Sequence, residues 1–336
     1  MNSQQPIQLR QPDWQDELGK AFTHAIDLFN FLNISQDHTF FSQQASRDFA
    51  MRVPISYAEC MEKSNPDDPL LRQVLPITDE LTNFPGFFND PVGDIDAAKS
   101  AGIIHKYHGR VLLITSGGCA INCRYCFRRN FPYSDFQMNK TRQAETIQYI
   151  KKHPDISEVI LSGGDPLLLN DYRLDLLLEE LSKITHIKRI RIHSRIPIVL
   201  PSRITQHLLE SLIRIPQQII LVLHCNHANE ISPKVINACT KLKHGQIYLF
   251  NQAVLLKGVN DNANQLCQLS EKLFASGIVP YYLHLLDKAT GTGHFEVEEH
   301  IALNIMQEVK AKLPGYLVPK LAREEPGTAS KTELTF

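Results

Sequence analysis

The sequence predicts an α/β fold: a partial (βα)6 barrel of TIM-like architecture, with a mainly helical N-terminal extension and a short C-terminal segment. Three observations predict it. From Val111 onward, short apolar runs alternate six times with amphipathic stretches, the pattern of parallel strands joined by right-handed crossovers. Polar residues recur where these runs end, at Gly163-Gly164-Asp165, Ser194-Arg195, His224 and Asn226, Asn251-Gln252 and Asp287. In βα-barrels such ends ring one mouth, where chemistry sits, which favours a barrel over a doubly wound sheet. Finally, three clustered cysteines follow the first run and so fall at the same mouth.

Residues 1–100 read as the extension. Asp13 to Leu18 starts a helix, Ala21 to Leu32 continues an apolar pattern, and Phe40 to Met51 suggests another helix. Residues 64–95 are rich in Pro, Asp, Asn and Gly and predict an irregular wrap whose aromatics pack on the main domain. The barrel occupies residues 101–315. Its strands are expected at 111–115, 158–162, 188–193, 218–223, 246–254 and 279–286. Its helices are expected near 142–152, 172–184, 203–214, 232–243, 263–276 and 297–312. Residues 316–336 form the last segment, where Tyr316-Leu317-Val318-Pro319 can return the chain to the barrel.

Composition narrows the function. The 336 residues are 43% hydrophobic, enough for a sizeable core, and carry a net charge of −1. That balance argues against nucleic-acid and membrane-surface partners. Seven cysteines, four of them scattered (Cys60, Cys225, Cys239, Cys267), do not make a disulfide framework and suit a reducing cytoplasm. Residues 1–6 lack a signal-peptide pattern, and no apolar run reaches membrane-spanning length.

Cys119, Cys123 and Cys126 are spaced C-x3-C-x2-C. Three thiolates from one short loop can hold an iron–sulfur cube and leave one iron open to a small molecule. Structural zinc would ask for a fourth ligand, and no second C-x2-C lies downstream. The motif, with Tyr125 before the third cysteine, resembles the signature of the radical S-adenosylmethionine (SAM) enzymes. That resemblance implies a four-iron four-sulfur cluster on the three cysteines, with SAM chelating the open iron. Gly163-Gly164-Asp165 resembles the element of that family whose strand edge meets the SAM amino group, with Asp in place of Glu. Ser194, Arg195 and His224 are expected around SAM. His224 and His227 at i, i+3 are weak grounds for a separate metal site.

Further stretches resemble the lysine 2,3-aminomutases, radical SAM enzymes that also use pyridoxal 5′-phosphate (PLP). They include Tyr107 to Leu113, Leu161 to Leu167, Arg191 to Pro197, Asn251 to Leu256, Gly258 to Asp261 and Gly293-His294-Phe295. The resemblance implies that Lys331 is the catalytic lysine, forming the Schiff base with PLP. Arg110 and Gln252 would lie at the PLP site, Arg110 on the phosphate, and Arg128 would take the substrate carboxylate. Asp287 and Glu324 would hold the ε-ammonium of L-lysine, Glu324 standing where longer relatives carry Asp. Two carboxylates around one ammonium select a long cationic side chain.

The short C-terminus and Gly327-Thr328-Ala329-Ser330 before Lys331 resemble the short bacterial branch. That branch makes (R)-β-lysine for elongation factor P, and a separate lysine ligase attaches it. An external electron donor is implied, and a homo-oligomer is compatible with the pattern. The rival readings are an aminomutase for arginine or glutamate, and a non-catalytic iron–sulfur protein.

Overall fold

A computed structural model describes residues 13–36, 40–95, 97–100, 102–136, 138–328 and 330–335. The N-terminal hexapeptide and Ala329, both used in the sequence reading, lie outside the described residues. One sheet organises the chain. Its strands are β1 (Ala98–Ser100), β2 (Ile103–Ile104), β3 (Arg110–Ser116), β4 (Glu158–Gly163) and β5 (Arg189–Ser194). β6 (Gln218–His224), β7 (Tyr248–Val254), β8 (Val279–His284), β9 (Lys320–Arg323) and β10 (Thr332–Glu333) complete it. The strands lie in sequence order. Those from β3 to β9 are parallel, while β1, β2 and β10 pair antiparallel at the edges.

The six expected strands are β3 to β8, each within two residues of its predicted ends. A helix follows each: Lys140–Lys152, Asp171–Ser182, Gln206–Arg214, Pro233–His244, Ala263–Ala275 and Glu299–Lys312. Short polar side chains start most of them. Asn139, Asn170, Thr205, Ser232 and Asn262 each accept a bond from a first-turn amide, satisfying donors that a helix start leaves open. Within the strands, alternation sorts the faces. Ile190 and Ile192 of β5 enter the main core, while Arg191 and His193, which alternate with them, line a central cavity.

The edges were not anticipated. β1 and β2 are too short to show a period, and β1 falls inside the segment assigned to the extension. The C-terminal segment is likewise part of the sheet, since β9 pairs with β8 and β10 turns back on β9. This returns Lys331 to the barrel. In the extension, Trp14–Gly19 is a helix capped by Asp13. The Ala21–Leu32 pattern yields a helix only from Ala25, because Phe22 instead bridges to Val53. The Phe40–Met51 helix shrinks to Gln43–Asp48, capped by Ser42. The wrap is mostly turns and short helices, and its Phe87 packs with Tyr125, Leu286 and Phe295.

Candidate active site

The cysteine loop leaves the end of β3 and is held by main-chain and side-chain bonds rather than by its own thiols. Asn122 donates to Arg52 O and Ala50 O, and the Arg124 amide donates to Gln73 O. The Arg124 guanidinium is fully buried. It donates to Phe49 O, Ala45 O and both oxygens of Glu80, and Arg129 shares Glu80 Oε2 at 2.8 Å. No catalytic constellation is visible in the extension's sequence, yet its residues 45–80 set the shape of the loop. Burial raises the Cys119 thiol well above its usual range, with Cys126 and Asp165 adding to the effect. Burial, then Cys123, pushes Cys126 up to about 11. Such thiols stay protonated until a metal replaces the proton. Among the described residues no three His, Cys, Asp or Glu side chains gather as around a single ion. Ligands of a cluster need not, since each thiolate binds a different iron. Three thiols on one cavity wall suit a cluster with one corner free.

Gly163 and Gly164 serve this loop directly. Gly164 N donates to Ser116 O and Asp165 N to Gly118 O. A Cβ on Gly164 would stand 2.1 Å from Gly118 O, and one on Gly163, at φ +126°, would stand 2.5 Å from Ser116 O. Glycine is required here by the approach of the chain's own backbone. Gly164→Ala should push the cysteine loop off β4, at a cost of roughly 1–3 kcal/mol of overpacking. Denaturation with iron counting checks it, and an unchanged midpoint with full iron content would refute it.

Asp165 is buried and accepts from Ser194 Oγ (2.8 and 3.0 Å) and from the amides of Leu167, Arg195 and Ile196. Burial nevertheless lifts its carboxyl to about 6. Arg195 Nη1 lies 2.7 Å from Cys123 Sγ, while Nη2 reaches Tyr57, Gln73 and Glu230. His224 Nε2 meets the Tyr125 hydroxyl at 2.9 Å. Burial, aided by Arg195, drives this imidazole down to about 3, so it is neutral. His227 turns away and caps the next turn, so the two histidines do not form a site. Asn226 and Asn251 do not line the cavity either; they bond strand ends and the turn behind them.

One cavity of about 400 Å³ joins these residues to the others. Lys331 projects into it, with Nζ 3.3 Å from both Glu324 Oε2 and His284 Nε2. Asp287 lines the same wall. Burial and the charge of Glu324 lift it to about 7, against the pull of Lys331. Arg128 is bonded to Asp94 (2.8 Å) and Ser162 (3.1 Å). Arg110 and Gln252 line the cavity, Arg110 lying over the Tyr107 ring. Arg110 opens β3, so roughly 20 Å of strand separates it from the cysteine loop. The site thus runs along the inner face of the sheet rather than sitting wholly at the mouth. Among the described residues Arg110 has no ion-pair partner, which suits it to a phosphate. A primary amine and this unpaired guanidinium lining one cavity fit PLP.

The sequence reading missed His193, His284, Asp94 and Lys106, all on the cavity wall. His193 and His284 stand on the inward register of β5 and β8. Polar residues at alternate positions of otherwise apolar strands were the available signal. Burial and nearby Arg191 and Lys331 hold His193 well below its usual range, and its buried Nε2 has no partner. Asp94 and Lys106 lie in irregular segments with no periodic signal.

Comparison with known proteins gives the following. A family model described as the radical SAM superfamily matches residues 113–269. The chain is 50% identical over 323 residues to the L-lysine 2,3-aminomutase of Escherichia coli (strain K12), covering 96% of this chain and 94% of that one. It is 47% identical to the L-lysine 2,3-aminomutase of Buchnera aphidicola subsp. Baizongia pistaciae, covering 95% and 94%. It is 32% identical to that of Clostridium subterminale, covering 95% of this chain and 77% of the relative. A solved radical SAM methyltransferase from Sphaerobacter thermophilus aligns at 17% identity and TM-score 0.46, over 66% of this chain and 68% of that one.

Proposed function

The chain belongs to the L-lysine 2,3-aminomutase family of radical SAM enzymes, and from that premise we propose how its residues move the amino group of L-α-lysine from C2 to C3. It is an isomerase, and its family uses a four-iron four-sulfur cluster, SAM and PLP. The observation that carries the reading is the cavity lined both by three thiols and by a lysine amine beside two acids. When bound, the cluster and SAM supply an adenosyl radical, and PLP supplies the π-system across which nitrogen migrates.

Cys119, Cys123 and Cys126 hold the cluster, with Arg195 charge-stabilising the Cys123 sulfur. Gly163, Gly164, Asp165 and Ser194 brace the wall where SAM lies, and neutral His224 presents its ring beside Tyr125. Lys331 would carry PLP, with Arg110 on its phosphate and Gln252 at the same site. Arg128 takes the substrate carboxylate, and Asp287 with Glu324 takes the distal ammonium. The apolar lining, including Ile121, Leu112 and Ile160, excludes water from the radical.

The product, on this reading, is (R)-β-lysine destined for elongation factor P through a separate ligase. Sequence identity supports the short branch, at 50% to the Escherichia coli relative against 32% to the Clostridium subterminale one. The cluster would need an electron from an external donor, and the enzyme works in the cytoplasm, alone or as a homo-oligomer.

The test is anaerobic turnover of L-lysine with SAM, PLP and reductant, with β-lysine read by mass spectrometry across pH. Asp287 must be ionised to hold an ammonium, and burial lifts its carboxyl to about 7. On the acid side of that value, kcat/KM should fall about tenfold per pH unit. Bound ammonium stabilises the carboxylate, so kcat should hold to lower pH. Absence of β-lysine from protein with full cluster and PLP would reject the proposal.

A further inference from the structure

The two ends of the proposed substrate site are joined to one another by side chains. Arg128 Nε donates to Asp94 Oδ2 at 2.8 Å. The other oxygen of Asp94 takes the Lys106 ammonium at 2.6 Å. Lys106 lies 3.5 Å from Glu324 Oε1, which also accepts the Tyr107 hydroxyl at 3.1 Å. Val92 O fixes Lys106 from behind at 2.7 Å, and Ser162 Oγ fixes Arg128 at 3.1 Å. The four linked residues come from four segments: the wrap, the turn before β3, the cysteine loop and the end of β9.

A lysine beside the acids that receive an ammonium is unexpected on charge alone, because it spends part of their attraction. Its geometry explains it. Arg128 and Glu324 sit on long arms that could otherwise follow substrates of different length. Largely buried ion pairs hold such arms in place, since breaking one strands a charge. We propose that Asp94 and Lys106 form a length gauge. They fix the distance between the guanidinium that takes the α-carboxylate and the carboxylate that takes the distal ammonium, and so select lysine over shorter diamino acids. This rests on the roles given above to Arg128, Asp287 and Glu324.

The experiment compares L-lysine with L-ornithine, one methylene shorter, in the wild type and in Lys106→Met, Asp94→Asn and Lys106→Arg. It reads kcat/KM for both, and the affinity of both by calorimetry on PLP-loaded protein without cluster. One methylene commonly separates substrates by ~10–200-fold, so the wild type should prefer lysine at least about tenfold. Lys106→Met and Asp94→Asn should each cut that preference about tenfold, in affinity as in kcat/KM. Lys106→Arg, which keeps the charge, should retain most of it. Equal losses on both amino acids, with the ratio unchanged, would overturn the gauge and leave the two residues merely structural. If Lys106→Met does not fold, Asp94→Asn tests the same joint. A wild type that binds neither diamino acid would sink the functional reading itself, an outcome distinct from an unchanged ratio.

Discussion

Cys123→Ala abolishes isomerase turnover, by more than ~10⁴-fold, because the cluster that starts the radical reaction is lost. Two thiols cannot replace three when each binds its own iron. The substitution also strips Arg195 of its contact with sulfur at 2.7 Å, leaving a buried guanidinium facing an empty corner. Iron and sulfide analysis, with the visible absorption of the reconstituted protein, should show little or no cluster. Cys60→Ala is the control, since Cys60 is a half-buried thiol outside the cavity. It should keep both iron and activity. Full iron content and turnover in Cys123→Ala would refute the ligand assignment.

Lys331→Ala is the second large effect, and it separates the two halves of the cavity. Isomerisation should fall at least ~10³-fold, the scale of losing a group that joins covalently in the reaction. Cluster content should remain whole, and slow SAM cleavage without isomerisation should persist, because the thiols are held by residues 45–80 and not by Lys331. The direct readout is the mass of a borohydride-fixed PLP peptide, present in the wild type and absent in the variant. Undiminished isomerase activity in Lys331→Ala would remove PLP from this lysine.

Much of this was legible in the sequence because the signals were local. The barrel strands and helices declared themselves by period, and Cys119, Cys123 and Cys126 by spacing. The sequence ties Lys331 and Arg110 to the site chiefly through family resemblance, because it does not state that β9 pairs with β8. The remainder depends on contacts across the fold. Gly164 reads as a ligand-facing glycine until Gly118 is seen against it. Asp94 and Lys106 lie in segments without period, and only the ion pair between them gives them meaning. The extension's part could not be read from its residues because its service to the loop runs mainly through backbone carbonyls such as Phe49 O and Ala45 O, which any residue type can supply.

That service bears on how the protein outlives its own chemistry. Oxygen destroys exposed iron–sulfur clusters, and a fold built around the metal would collapse with it. Here the loop is fastened from behind by Arg124, Asn122 and Glu80, so its outline does not depend on the iron. A damaged centre can then be treated as a consumable part. A loop so fastened carries little ordering cost when a cluster is built on it.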